Sequence, residues 1–154
     1  MPQVSSKSQK FPIGYISIRV FAHATEDQER VTRAILNILP EELAESAVFK
    51  KTNLTGHHGN SIMLIETELA DRPRLMTALE KIGKSLTSLD KQTLYNEMKL
   101  HLEKGNLYLR FDKQGAFCDR LEFSPIDPIH FKVHFRNKTP DEIVGICEKA
   151  GLLA

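Results

Sequence analysis

Residues 129–136 read IHFKVHFR. Ile129, Phe131, Val133 and Phe135 alternate without a break with His130, Lys132, His134 and Arg136. Successive side chains of a strand point to opposite faces, so this stretch predicts a strand with one buried face and one wet face. Residues 13–23 (IGYISIRVFAH) repeat the pattern, with Ile16, Ile18, Val20 and Ala22 on one side and Tyr15, Ser17, Arg19, Phe21 and His23 on the other. Residues 107–112 (LYLRFD) repeat it again, placing Tyr108 and Arg110 outward. Residues 47–54 (AVFKKTNL) and 61–69 (SIMLIETEL) flank Gly56-His57-His58-Gly59-Asn60, as an antiparallel hairpin with a loop longer than two residues would. Residues 120–123 (RLEF) complete the expected strands.

Helical spacing fills the gaps between them. Thr25-Glu26-Asp27-Gln28 has the form of a capping box and predicts a helix over 26–39 that buries Val31, Ala34, Ile35, Ile38 and Leu39. Pro40 ends it and can start a short turn over 41–44. Asp71, with Pro73 in the first turn, is the expected cap of a helix lined by Leu75, Leu79, Ile82 and Leu86. Ser88 would cap the next, carrying Leu94, Met98 and Leu102 and ending at Gly105. Thr139-Pro140-Asp141-Glu142 is a second capping box, followed by Ile143, Cys147 and Ala150, with Gly151 as the stop. The order β-α-β-β-α-α-β-β-β-α implies an α+β, two-layer sandwich: a mostly antiparallel sheet with helices on one face and the other face left to solvent or a partner.

The 154 residues suit one domain, expected over 11–154 after a polar, disordered tail at 1–10. Two cysteines, Cys118 and Cys147, are too few for a disulfide framework or a cysteine-rich zinc site. No apolar run approaches a membrane span, and residues 1–10 lack the apolar core of a secretory signal, so the expected location is cytoplasmic. No Walker loop, dinucleotide fingerprint, nucleophile elbow or paired-carboxylate arrangement is present. No enzyme activity and no cofactor are therefore expected.

The net charge of +1 conceals an uneven distribution. Residues 1–24 hold three basic and no acidic side chains, 25–45 hold six acidic and two basic, and 128–138 hold three basic and no acidic. On strand 129–136 the cationic and histidine side chains recur at roughly 6.6–7 Å, near the interval between consecutive phosphates of a nucleic-acid strand. Cations mixed with aromatic rings suit RNA, the cations meeting phosphates and the rings stacking on bases. The candidate contacts are Arg19, His23, Lys50, Lys51, His57, His58, Asn60, Tyr108, Arg110, Lys113, Gln114, His130, Lys132, His134 and Arg136. A solvated sheet face also needs polar side chains; what favours RNA is the lack of acid over 128–138. The glycines at 56 and 59 would let a ligand backbone approach the histidine loop. A zinc site there is a poorer reading, because adjacent histidines seldom converge on one metal.

Three motifs together resemble a known family: His23-Ala-Thr-Glu26, Gly56-His-His-Gly-Asn60 and Leu107-Tyr-Leu-Arg-Phe-Asp-Lys-Gln114. They are similar, in the same order, to those of the small archaeal RNA-binding proteins described as predicted exosome subunits. The resemblance implies a fold like that of the large-subunit ribosomal protein that holds 5S rRNA. It also implies RNA binding, in RNA processing, degradation or ribosome-related work. It carries over His23, Thr25, Gly56, His57, Gly59, Asn60, Arg110, Asp112, Lys113 and Gln114 as positions of interest, and no catalytic residue. Where family members often have alanine after Asp-Lys-Gln, this chain has Gly115. The implied partners are RNA and exosome or ribosomal proteins, with a homodimer open. The alternatives are a protein–protein adaptor of an RNA-processing assembly and a metal- or nucleotide-dependent enzyme using His57 and His58.

Overall fold

The computed structural model describes residues 11–56 and 59–153. The expected tail at 1–10 and the two loop histidines, His57 and His58, lie outside the described residues. The strands are β1 (Ile13–His23), β2 (Lys50–Thr55), β3 (Ser61–Leu69), β4 (Leu102–Glu103), β5 (Asn106–Phe111) and β6 (Ile129–Phe135). The helices are α1 (Gln28–Ile38), α2 (Glu41–Ser46), α3 (Arg72–Ser85), α4 (Ser88–His101), α5 (Lys113–Phe117) and α6 (Pro140–Lys149). Among the described residues the strands form one sheet in the order β2-β3-β1-β6-β5-β4, with every neighbouring pair antiparallel.

The alternating strands take the central places because they have an apolar face to bury. Ile16, Ile18 and Val20 of β1, Leu107, Leu109 and Phe111 of β5, and Ile129, Phe131, Val133 and Phe135 of β6 are all at most 1% exposed. They meet Val31, Ala34, Ile35 and Ile38 of α1, Leu75, Ala78, Leu79 and Ile82 of α3, and Ile143 and Cys147 of α6 in one core. Burying one such aliphatic side chain contributes about 1.5–3 kcal/mol. After α6 the chain turns at Gly151, at positive φ, and buries Leu152 and Leu153. A Cβ on Gly83 of α3 would stand 2.6 Å from the Gly151 carbonyl oxygen, so α3 packs backbone to backbone against this last turn.

The second capping box forms as expected: Thr139 accepts from Glu142 N at 3.2 Å, and Thr139 N donates to the Glu142 carboxylate at 2.9 Å. The first does not. Asp27, two residues beyond Thr25, caps α1 by accepting from Glu29 N, and Glu26 binds back to His23 N instead. Thr87, not Ser88, caps α4, and Asp71 binds Arg74 rather than the end of α3. Gly105 does not end a helix: α4 stops at His101, and Lys104-Gly105, both at positive φ, form the two-residue turn between β4 and β5. Residues 120–123 make a single bridge, Phe111 to Phe123, instead of a strand. Asp112 caps the short helix α5, which Lys113, Gln114 and Gly115 begin, by accepting from Gly115 N at 2.7 Å.

Candidate nucleic-acid interface

Strand register decides which side chains share the open face. Arg19 pairs with Glu66 on one side and His130 on the other, while Lys50 pairs with Glu66 and Arg110 with His130. Residues paired across strands project from the same face. One row therefore runs Lys50, Glu66, Arg19, His130, Arg110 across five strands, roughly 19 Å at about 4.8 Å per strand. The next row holds Glu68, Ser17, Lys132 and Tyr108, and the one beyond it Tyr15, His134 and Asn106. The face is thus basic and aromatic over β1, β6 and β5, but Glu66 and Glu68 of β3, and Glu103 of β4 opposite Asn106, make it less uniformly basic than the charge of 128–138 suggests.

The aromatic residues are held by their neighbours. The Tyr15 ring stacks on His134 with centroids 4.9 Å apart and 19° between planes. The Lys132 ammonium lies 5.6 Å from the Tyr15 centroid. Asn106 Oδ1 is 2.8 Å from His134 Nδ1 and orients that ring. Burial pushes the His130 imidazole below its ordinary pKa, and the cations of Arg19 and Arg110 push it the same way against a smaller opposite pull from Asp127. His130 is thus held toward its neutral form between two guanidinium groups, and a phosphate anion set beside it would favour uptake of a proton from solvent.

Several candidates lie elsewhere. Lys51 pairs with Ile65, whose side chain is in the core, so Lys51 projects to the helix side, where its ammonium reaches Gln28 at 3.4 Å. A one-residue step along a strand reverses the face, and no local signal in the run of two lysines says which one points outward. Lys113 is not a surface contact either. Its ammonium donates to the Phe21 carbonyl at 2.8 Å, to Glu26 at 2.9 Å and lies 2.8 Å from Asp127, with 12% of the side chain exposed. Gln114 lies on α5 and approaches Cys118 Sγ at 3.6 Å.

The two motifs around His23 and Lys113 come together here. His23 Nε2 is 2.9 Å from Asp127, the same carboxylate that meets Lys113. Ligand atoms of His23, Glu26 and Asp127 lie within 4.8 Å of one another, and two of the three, Glu26 and Asp127, hold the ammonium of Lys113. This network fastens the end of β1 to α5 and to the loop before β6. Asp127, which completes it at φ 45°, carries no sequence signal for this role. Asn60 stands exposed at the same end of the sheet, where the Gly56 N–H donates to its carbonyl at 2.6 Å. Gly115 is dictated by packing, because a Cβ there would meet the Arg120 carbonyl oxygen at 2.9 Å.

These features can be set beside known proteins. The chain belongs to the family described as RNA binding, whose model matches residues 15–135. RNA-binding protein PAB1135 of Pyrococcus abyssi is 33% identical over 121 residues, which cover 77% of this chain and 79% of that protein. Among solved structures, Mth689 of Methanothermobacter thermautotrophicus, a DUF54 protein, is 28% identical with a TM-score of 0.71, covering 92% of this chain and 98% of its own. Protein AF2318 of Archaeoglobus fulgidus, 20% identical, superposes with a TM-score of 0.74 over 90% of this chain and 99% of its own. The α+β class and the family inferred from the motifs both hold. Among the described residues no helix is long and apolar enough to cross a membrane.

Proposed function

We propose that this protein binds RNA non-catalytically on the open face of its sheet and serves in RNA processing or degradation. The observation that carries the reading is the juxtaposition of Arg19, His130 and Arg110 on three adjacent strands, beside Lys132, Tyr15 and Tyr108. Cations there would take backbone phosphates while the tyrosine rings receive bases. The non-catalytic part is supported by His23–Asp127, a His–carboxylate pair engaged by Lys113 rather than aimed at a nucleophile. The setting rests on the resemblance to predicted exosome subunits, with ribosome-related work as its second implication.

Binding of a single-stranded RNA and an RNA hairpin, measured across salt, tests this. The logarithm of affinity should fall linearly with that of salt, by about 0.7 per phosphate neutralised on a single strand. Arg19→Gln with Arg110→Gln should weaken binding and flatten the slope while leaving thermal stability nearly unchanged. Absence of salt-sensitive binding to either RNA refutes the reading.

One observation favours an adaptor that meets a protein. Toward the hairpin end, the same face carries Phe21 paired with Leu64, and Ile62 paired with Leu54. Leu54 is 38% exposed. Association with exosome components that survives nuclease treatment, without direct RNA binding, would select this reading.

A further inference from the structure

Beyond the end of β6 the open face runs into a recess of about 580 Å³. Its walls come from the start of β1, the first residue of α3, the β4–β5 turn and the turn after β6. It is lined by Arg72, Lys104, Arg136 and Lys138, with His134 and Tyr15 on the side of the sheet. Among the described residues no acidic side chain lines it. Three cations elsewhere have acidic partners, Arg74 with Asp71, Lys113 with Glu26 and Asp127, and Arg120 with Glu122, while many exposed lysines and arginines among the described residues pair with no acid. What marks the recess is that four cations gather there from separate segments. Among the described residues, none of the four recess cations has a carboxylate within the 4.0 Å of an ion pair. The acid that feels Lys138 is Glu142, whose carboxylate accepts from Thr139 N.

Two local features hold the recess in this shape. A Cβ on Gly14 would lie 3.1 Å from Arg136 Cγ and 3.1 Å from His134 Cδ2, so the glycine lets Arg136 lie close across the strand. The β1–β6 register is irregular at this point, between Ile13 and Tyr15. Lys104, with φ of 53°, occupies the first position of the two-residue turn. That position favours Asn, Asp or Gly, so a lysine is held there at a conformational cost. Strain retained for a charged side chain in an all-basic recess points to a use for that charge.

We propose that this recess is a second phosphate-binding site, formed by Arg72, Lys104, Arg136 and Lys138, and that it takes backbone phosphates of the RNA strand leaving the open face. The inference rests on the RNA-binding reading and extends it. The line His130, Lys132, His134, Arg136 leads from the central row into the recess, about 20 Å at two-residue steps of roughly 6.6–7 Å. The bound strand therefore follows β6, with its bases over Tyr15 and Tyr108 and its later phosphates in the recess.

The test compares the full chain with Lys104→Asn and with Lys104→Asn/Lys138→Gln, using a 12-nucleotide single-stranded RNA with either a 5′-phosphate or a 5′-hydroxyl. Asn suits the turn, so Lys104→Asn should leave the melting temperature unchanged or raise it while weakening RNA binding several-fold. The double variant should flatten the salt slope by about 1.4, two phosphates at about 0.7 each. Lys91→Gln, on α4 and outside the recess, should change neither slope nor affinity. Equal losses for both RNA ends show internal phosphates in the recess, whereas a loss confined to the 5′-phosphorylated strand shows a terminal phosphate there and overturns the proposed path. If the parent chain binds RNA and the double variant keeps its affinity and slope, the recess is refuted and the open-face reading stands. If the parent chain shows no salt-sensitive binding, both fall.

Discussion

The Lys113 ammonium lies 2.8 Å from the Asp127 carboxylate and 2.9 Å from that of Glu26, tying two loops and a short helix to the end of β1. Replacing it leaves two partly buried carboxylates and the Phe21 carbonyl without their shared donor. Lys113→Ala should therefore destabilise the fold by about 1–2 kcal/mol, a range that allows for solvent screening of the half-exposed acids. Urea unfolding monitored by circular dichroism measures it. An unchanged midpoint would show the network to be ornamental to stability.

Gly83 offers a prediction of reversed sign. In a helix interior, Gly→Ala ordinarily stabilises by roughly 0.5–1 kcal/mol. Here the added methyl would press on the Gly151 carbonyl at 2.6 Å, against backbone that cannot step aside as a flexible side chain would. Gly83→Ala should cost about 1–3 kcal/mol, as overpacking does, visible as a lower thermal midpoint.

His130 gives the interface a dependence on pH. Its imidazole titrates below its ordinary value of 6.5 in the free fold, chiefly through burial and then through Arg19 and Arg110. The unfolded chain therefore takes up this proton first as pH falls. The residue's contribution to stability is complete above pH 6.5 and declines below it, until pH passes the folded-state value. A bound phosphate reverses the local charge and favours the imidazolium. RNA affinity should consequently rise as pH drops from 7.5 toward 5.5, and His130→Gln should remove most of that rise. Fluorescence anisotropy at matched ionic strength reads it directly.

The two thiols should separate cleanly under a thiol-specific reagent. Cys118 is exposed, and Cys147 is buried with its pKa pushed up to about 12, mainly by burial. The thiolate is the reactive form. Native protein should label at Cys118 alone, with Cys147 reacting at the rate of global opening, as mass spectrometry across a denaturant series would follow.

The central sheet was legible in the sequence because β1, β5 and β6 alternate with period two, and that pattern follows from burying one face of a strand. Edges and short pieces were not. Residues 102–103 and 120–123 hold too few alternations to separate a strand from a bridge, and whether Thr25 or Asp27 caps α1 turns on a two-residue shift. At the interface, Arg19, Arg110, His130 and Lys132 could be placed from alternation alone. Lys51 and Lys113 could not, because register across β3 and the position of Asp127 decide their fates. The acid on the open face is masked for a related reason: Glu66 and Glu68 lie within residues 59–127, whose 11 acidic and 10 basic side chains nearly cancel. Arg72, Lys104 and Lys138 come from three separate segments, and only the fold brings them to one recess.

Among the described residues strand β2 is bonded to β3 on one side only, and five of its six residues are exposed. Its outer row of amides and carbonyls is a template to which another chain could add, and lysine on such a strand is a common safeguard against aggregation. Lys50 and Lys51 therefore act as sentries for the sheet whatever they do for RNA. Neutralising both to probe binding would strip that guard, and turbidity or a concentration-dependent loss of material would masquerade as lost affinity.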